Sequence, residues 1–396
     1  MSDKSFIRDS LFFDLKAAIN VSLLAIPQGM AYALVAGLPI HYGLLGSAFA
    51  SFLGGVIGKT RYITLGPTNA TSVLLFGVFA SLGLIQQSGI VSQLGIEILP
   101  WIIFFAGVLL IAASLLRISY MVQFISRTVT TPYLTAAAFL IIANQVKHIL
   151  GLTFPEGSTP SSFVEILGFL FSSAESISFP PLLLSLITAL IFLFFQSKLK
   201  AFPNVALTLM ISALVALIFK RNGFDLTYLD SFDNDWAFLS IPSVNGLSHH
   251  WQTILWSSSA IALLCLLEGL SIGKSLAARS GQRIDTNRET LSIGLSNIGC
   301  SMFSGMPASG SLTRSSLNVN SGAISRFSNI YTGIFILIGY FLLGDLVAYI
   351  PLPALATLVI FIGTSLIKSR QIKTVSRATR SDAITFLITL IVGLTL

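Results

Sequence analysis

Three short stretches carry residue types that could do chemistry. Ser309-Gly310-Ser311-Leu312-Thr313-Arg314-Ser315-Ser316 joins a run of hydroxyls to one full positive charge. Leu65-Gly66-Pro67-Thr68-Asn69-Ala70-Thr71-Ser72 offers neutral donors behind a Gly-Pro break, and Leu263 to Leu270 buries Glu268 among leucines. Hydroxyls, amides and an arginine without a paired nucleophile and base are equipment for holding an oxyanion, not for attacking a bond. Ser and Thr could instead bond within their own helices, and Arg314 could pair with a lipid phosphate or a carboxylate, Glu268 being its expected partner inside the chain. Glu268 itself could bind a proton, help to hold Na⁺, or simply balance Arg314, because a carboxylate in an apolar span ionises only beside a cation or donor.

Other chemistries find little support. His41, His148, His249 and His250 have no metal-ligand spacing with Cys, Asp or Glu, and Cys265 and Cys300 lie in apolar segments as small packing residues. No Ser/His/Asp cluster, zinc motif or pair of catalytic carboxylates stands out, so the chain is not expected to be an enzyme, and no cofactor or metal is expected.

The elements that must position these residues are membrane-spanning helices. With 54% hydrophobic residues, 10% charged and a mean hydropathy of +0.85, the chain of 396 residues belongs in a bilayer. No cleavable signal peptide is read at Met1 to Phe12. Apolar segments are expected at 14–36, 42–58, 67–79, 98–116, 119–148, 181–197, 202–219, 254–279, 290–304, 311–321, 327–347, 352–368 and 382–396, with 161–173 as an extra amphipathic helix at the outer surface. The net charge of +7 resides at segment ends, in groups such as Lys59/Arg61, Lys198/Lys200 and Lys368/Arg370/Lys373/Arg377/Arg380. Such ends read as cytoplasmic, not as a nucleic-acid surface. The connections 80–98 and 151–180 carry no Lys or Arg, and 222–250 carries Asp225, Asp230, Asp233 and Asp235, so these face outside. Asp14 and Asp345 lie near segment ends, where solvation is easy.

Two segments, 67–79 and 311–321, are too short to span and begin at helix breakers. Short interrupted helices at matching places in two halves point to a transporter binding site. Gln28-Gly29 lies 39 positions before Pro67 and Glu268-Gly269 lies 39 before Pro307, which sets a repeat offset of 240. Seven segments separate the copies, an odd number of crossings, so the repeats are inverted. The division is a cytoplasmic N-terminus at 1–13, a first repeat at 14–219, an outer connection at 220–253 and a second repeat at 254–396. Each half-helix would present free N–H groups and the positive end of its dipole to a buried or wet cavity, an oxyanion cradle without a metal.

With those residues in place, the chain resembles the sulfate permease (SulP) family of anion transporters. The likeness rests on Ala25-Ile26-Pro27-Gln28-Gly29-Met30-Ala31-Tyr32-Ala33, Ala36-Gly37-Leu38-Pro39, Tyr42-Gly43-Leu44, Leu65-Gly66-Pro67 and the run Gly305 to Ser315, with Glu268, Gln282-Arg283, Asn287-Arg288-Glu289 and Gly294-Leu295-Ser296-Asn297 between them. The resemblance implies an all-α polytopic membrane protein of two inverted sevens, with core and gate domains, half-helices meeting at the bilayer midplane, and elevator-type movement. It also implies a homodimer in the cell inner (plasma) membrane. Carried over by position, Gln28, Tyr32, Pro67, Thr68, Asn69, Ser311, Leu312, Thr313 and Arg314 would surround the anion, and Glu268 would couple its transport to H⁺ or Na⁺. The family's fourteenth segment and STAS domain are missing from this sequence, which reads as cut off within segment 13. Retention of Arg314 favours sulfate over bicarbonate or a dicarboxylate. An anion channel or voltage-driven motor of the same family is the first rival. A nucleobase/H⁺ symporter, which should carry a carboxylate at the second half-helix, is disfavoured by Arg314.

Overall fold

The computed structural model describes residues 3–61, 63–86, 90–117, 127–152, 162–198, 204–229, 239, 244–280, 284–344, 346–367 and 369–395. Gln282, Arg283, Asp345 and the acidic run 230–235 lie outside them. The described chain is helical apart from two strands of two residues each. Six of its helices are long and apolar enough to cross a membrane, among them Leu11–Val35, Gln93–Leu115 and His250–Ala277.

The helices in chain order are α1 (Asp3–Val35), α2 (Ile40–Ile57), α3 (Asn69–Ser81), α4 (Gln93–Leu115), α5 (Arg127–Leu150), α6 (Phe163–Ser172), α7 (Phe179–Lys198), α8 (Asn204–Arg221), α9 (Val244–Ser280), α10 (Thr286–Met302), α11 (Leu312–Asn320), α12 (Phe327–Leu343), α13 (Leu352–Leu366), α14 (Ser369–Ser376) and α15 (Arg380–Thr395). Strand β1 (Leu65–Gly66) precedes α3 and β2 (Ser309–Gly310) precedes α11. The expected extra helix at 161–173 is α6, started by a capping box in which Ser162 and Glu165 satisfy each other's backbone N–H. Three boundaries differ from the expectation. Helix α1 runs back to Asp3 through the stretch read as a separate N-terminus, α9 begins at Val244 and is broken at His250 (φ −125°, ψ 18°), and the basic stretch after α13 folds into the unanticipated α14.

The chain divides into two compact units that interleave its halves. Unit 1 comprises 1–75, 91–123 and 232–344, and unit 2 comprises 76–90, 124–231 and 345–396. Within unit 1 the second helix of either half packs on the fourth of the other, α2 on α12 and α4 on α10, and the first does the same, α1 on α12 and α9 on α4. Unit 2 repeats the exchange: α5 packs on α13 and α15, and α13 on α7. This reciprocity is the signature of an inverted repeat.

Small residues let the crossings close. A Cβ on Gly107 of α4 would come within 2.7 Å of the Gly294 carbonyl of α10, and one on Gly333 of α12 within 2.6 Å of the Ala48 carbonyl of α2, the same crossing in the other half. Between helices in an apolar solvent, such backbone approach is the main source of packing energy. A core of Ala25, Ala48 and Ile336 sits where α1, α2 and α12 meet.

Candidate functional site

The two half-helices are joined by their approach strands. Strands β1 and β2 pair antiparallel, Leu65 opposite Gly310 and Gly66 opposite Ser309, so backbone that leaves the helical pattern in mid-unit still has partners. A two-fold axis through this pair carries Leu65 onto Ser309, a difference of 244. The offset of 240 read from the two Pro residues is corrected accordingly: Pro67 follows its strand, whereas Pro307 precedes its own. Two residues separate β1 from α3 and one separates β2 from α11, so Pro67 is the additional residue of the first crossover.

Side chains from neighbouring helices hold the strands in place. The Ser51 hydroxyl of α2 donates to the Leu65 carbonyl at 2.9 Å. On the other side the Asn297 amide of α10 accepts from Ala308 N–H at 2.9 Å and donates to its carbonyl at 2.8 Å, and the Ser309 hydroxyl donates to the Cys265 carbonyl of α9 at 3.0 Å. Asn329 of α12 accepts from the Thr64 hydroxyl at 2.8 Å and donates to the Ile63 carbonyl at 3.1 Å. Thr64 N–H in turn donates to the Ser315 hydroxyl of α11 at 3.0 Å. Neither Thr64 nor Asn329 was singled out by the sequence, because a polar residue near the end of an apolar segment looks solvated until the fold buries it.

The same arrangement caps both half-helices. Thr68 is the N-cap of α3, its hydroxyl accepting from Thr71 N–H at 3.3 Å while the Thr71 hydroxyl accepts from Thr68 N–H at 3.0 Å. Ser311 is the N-cap of α11 and accepts from Arg314 N–H at 3.5 Å. The first intrahelical bonds are Ser72 N–H to the Thr68 carbonyl and Ser315 N–H to the Ser311 carbonyl. The N–H groups of Asn69 and Ala70 on one side, and of Leu312 and Thr313 on the other, therefore precede the ladder and belong to the positive helix ends.

Arg314 occupies an unexpected place. It is fully buried, and its guanidinium donates to the Pro67 carbonyl and, at 3.4 Å, to the Ser47 hydroxyl of α2. The arginine of the second half-helix thus plugs into the crossover of the first, on the carbonyl of the additional residue. The expected pairing with Glu268 takes the form of a charge interaction, and the charge of Arg314 also acts on Tyr32. Glu268 accepts a hydrogen bond from the Thr68 hydroxyl at 2.7 Å. Gly66 is required by the plug: its φ is +155°, and a Cβ there would fall on the Arg314 guanidinium. Gly46 of α2 serves similarly, since a Cβ would meet Met306 N at 2.8 Å and the Pro67 ring at 3.1 Å.

Of the sequence-predicted set, Gln28, Tyr32, Pro67, Thr68, Asn69, Ser311 and Arg314 are buried, Glu268 is half-buried, and Leu312 and Thr313 are exposed. The Ser311 and Thr313 hydroxyls lie 3.2 Å apart. Gln28 and Tyr32 share one face of α1, four residues apart. Three buried polar atoms in this set have no hydrogen-bond partner: Gln28 Oε1, Asn69 Oδ1 and Arg314 Nε. A half-turn of either amide would present its NH₂ in place of the oxygen. Buried polar groups are nearly always satisfied, so these three atoms make the set a candidate for binding, although Thr286, Ser296 and Asn318 hold such atoms elsewhere.

Asp14 departs from its expected solvated position. It is buried, its carboxylate accepting from Ile324 N–H at 2.8 Å, Ser325 N–H at 2.9 Å and the Ser325 hydroxyl. It anchors the turn that links α11 to α12. Glu289 is likewise buried and accepts from Thr60 N–H at 3.2 Å and its hydroxyl at 3.0 Å. Both are structural carboxylates. Cys265 and Cys300 are buried and free, as packing residues should be.

The chain is similar to known proteins in sequence and in fold. In sequence the chain is similar to the chloroplastic sulfate transporter 4.1 of Arabidopsis thaliana, 31% identical over 355 residues that cover 88% of this chain and 50% of that protein. It is 26% identical to the putative sulfate transporter YvdB of Bacillus subtilis over 389 residues, 96% of this chain and 71% of that one. The chain spans about half the length of the plant relatives it matches. In fold it is similar to the transmembrane domain of a cyanobacterium bicarbonate transporter, BicA, with a TM-score of 0.84 at 21% identity, covering 97% of this chain and 96% of that one. Murine solute carrier 26 family member A9 in the inward-facing state gives a TM-score of 0.82 at 18% identity over 97% of this chain and 65% of that one. The sequence profile described as the sulfate permease family matches residues 11–389, from the first helix to the last, and the chain belongs to that family.

Proposed function

We propose that this protein is a secondary active transporter of small anions, sulfate foremost, that carries its substrate between the N-termini of α3 and α11. The observation that carries the reading is the antiparallel strand pair that sets two half-helices nose to nose with a buried arginine between them. The free N–H groups of Asn69, Ala70, Leu312 and Thr313 supply directional donors, and the Gln28 and Asn69 amides with the Tyr32 and Thr313 hydroxyls supply adjustable ones. Arg314 supplies charge without surrendering its own hydrogen bonds, and Pro67, Thr68 and Ser311 hold the helix ends in shape. Glu268, held by the Thr68 N-cap, links the driving cation to the first half-helix: loading a proton or Na⁺ there changes the field at the anion position through one hydroxyl. The names of the sulfate-transporting relatives support sulfate, and that of the bicarbonate transporter keeps bicarbonate, with a dicarboxylate, as the second reading.

The wider reading is an elevator-type carrier, homodimeric in the inner (plasma) membrane, with 14–219 and 254–396 as its repeats and its Lys- and Arg-rich ends in the cytoplasm. The test is uptake of labelled sulfate, bicarbonate and succinate into proteoliposomes under imposed pH and Na⁺ gradients. Saturable sulfate uptake that collapses with one of the gradients is expected. Flux that is linear in concentration and indifferent to both gradients would make the protein a channel.

A further inference from the structure

The start of α3 holds more hydroxyl than a cap needs. Thr68 and Thr71 form a buried capping box in which Thr71 stands where Glu or Gln is usual. The Thr71 hydroxyl accepts from Thr68 N–H at 3.0 Å and reaches the Thr68 carbonyl at 3.0 Å. That carbonyl already receives Ser72 N–H at 3.0 Å and the Ser72 hydroxyl at 2.8 Å. The two threonine hydroxyls also lie 3.1 Å apart, and either oxygen can be the donor. A hydroxyl has one proton and two lone pairs, so the Thr68 proton has two destinations, Glu268 at 2.7 Å or Thr71.

These two destinations match the two states of a carboxyl group. With Glu268 ionised, the Thr68 hydroxyl donates to the carboxylate and Thr71 closes the cap behind it. With Glu268 protonated, the carboxyl O–H donates to Thr68 Oγ1, the Thr68 proton turns to Thr71 Oγ1, and the Thr71 hydroxyl donates to the Thr68 carbonyl. Thr68 Oγ1 then accepts from Glu268 and Thr71 N–H, and Thr71 Oγ1 from the Thr68 hydroxyl and Thr68 N–H. Both lone pairs and the proton of each hydroxyl are used, and no heavy atom needs to move. A Glu at position 71 would set a second negative charge near Glu268, and an apolar residue would remove the second acceptor.

We infer that Thr71 is a positioning residue for coupling: it takes over the Thr68 hydroxyl proton when Glu268 is protonated, so that the site loads and releases H⁺ with the α3 cap intact. This role depends on the one proposed for Glu268 as the coupling group, and it makes the driving cation a proton. Thr68, Thr71 and Glu268 all belong to unit 1. Arg314 of α11, Tyr32 of α1 and Cys265, one turn back on α9, interact with the charge of Glu268, and a variant at Thr71 leaves all three in place. The neighbouring helices α4 and α10 carry their charged residues, Glu97, Arg288 and Glu289, in their first two turns.

The test is sulfate uptake into proteoliposomes of the whole protein, read against external pH at fixed internal pH, for the unsubstituted protein, T71V, T71S and E268Q. T71V keeps the branched shape and loses the second acceptor. Half-maximal uptake should then need roughly tenfold more protons, a midpoint lower by about one pH unit, as loss of one hydrogen bond from the protonated state implies. The orphaned Thr68 N–H of T71V is common to both states and does not move the midpoint. T71S should restore it, and E268Q should have none. An E268Q variant that keeps the midpoint would overturn the role of Glu268 and, with it, that of Thr71. A midpoint shared by T71V and the unsubstituted protein, a loss of rate uniform in pH, or uptake driven by Na⁺ and indifferent to pH would overturn the role of Thr71 alone. Should T71V fail to fold, infrared difference spectra of the unsubstituted protein between acid and neutral pH replace it. A carboxyl C=O band absent from E268Q, at the frequency of a hydrogen-bonded acid and with the amide I band unchanged, is expected. A band at the frequency of a free acid, or no band, would overturn the inference.

Discussion

Arg314 does two jobs that a single substitution would confuse. Its guanidinium satisfies the Pro67 carbonyl and reaches Ser47, and in the proposed function its charge raises the potential at the anion position. Arg314→Ala removes both, leaving a buried carbonyl unsatisfied at a cost of about 1–3 kcal/mol. Arg314→Lys keeps the charge but loses the planar fork. Sulfate affinity, measured by scintillation proximity on purified protein, should therefore be abolished in the Ala variant. In the Lys variant it should be weakened by roughly ten- to a hundredfold, as loss of one charge-assisted bond implies. Equal affinities in the two would separate the arginine from the anion. Thr68 and Glu268 form the second residue-scale pair. Glu268→Gln keeps an acceptor for the Thr68 hydroxyl while removing the charge, so sulfate should still bind but uptake should lose its response to the driving gradient. Thr68→Val removes the cap as well, destabilising α3 by about 0.5–2 kcal/mol.

Among the elements, the half-helices were legible because Gly-Pro breaks and short apolar segments leave a mark in the sequence. Their register was not. Matching Pro67 to Pro307 presumed that equal residues have equal places, whereas backbone pairing decides equivalence, and it puts Ser309 opposite Gly66. The charge partner expected for Arg314, Glu268, acts on it electrostatically, whereas the carbonyl that its guanidinium plugs lies on another segment and cannot be read from composition. Asp14 was misjudged for a related reason: a segment end is solvated only if no turn folds over it, and here the α11–α12 turn does. Two substitutions test the elements directly. Gly66→Ala places a methyl on the guanidinium and should abolish sulfate binding while leaving the helix content by circular dichroism intact. Asn297→Leu strips both hydrogen bonds from Ala308, at about 1–3 kcal/mol for each group left unsatisfied, and should lower the thermal midpoint in detergent.

For the whole molecule, composition alone assigned the chain to a bilayer, and the reciprocal packing of α2 on α12 and α4 on α10 is the inverted repeat made physical. That packing depends on bare backbone at the crossings. Gly107→Val would drive a branched side chain into the Gly294 carbonyl, an overpacking cost of about 1–3 kcal/mol, and should reduce the yield of folded protein from the membrane fraction more than the activity of what remains. The bounds of the compact units were not readable, because each unit takes two stretches from the first half and one from the second, and no linker composition marks where the chain passes from one unit to the other.

If the anion is held between the N-termini of α3 and α11, a heavy oxyanion can be located there. Selenate matches sulfate in shape and charge and can be found by anomalous scattering in crystals soaked at a concentration that saturates sulfate uptake. One selenium peak is expected, with its oxygens within about 2.7–3.2 Å of the N–H groups of Asn69 or Ala70 and of Leu312 or Thr313. A saturating soak that leaves this position empty, or puts selenate elsewhere in the protein, would place the anion site away from the two half-helices.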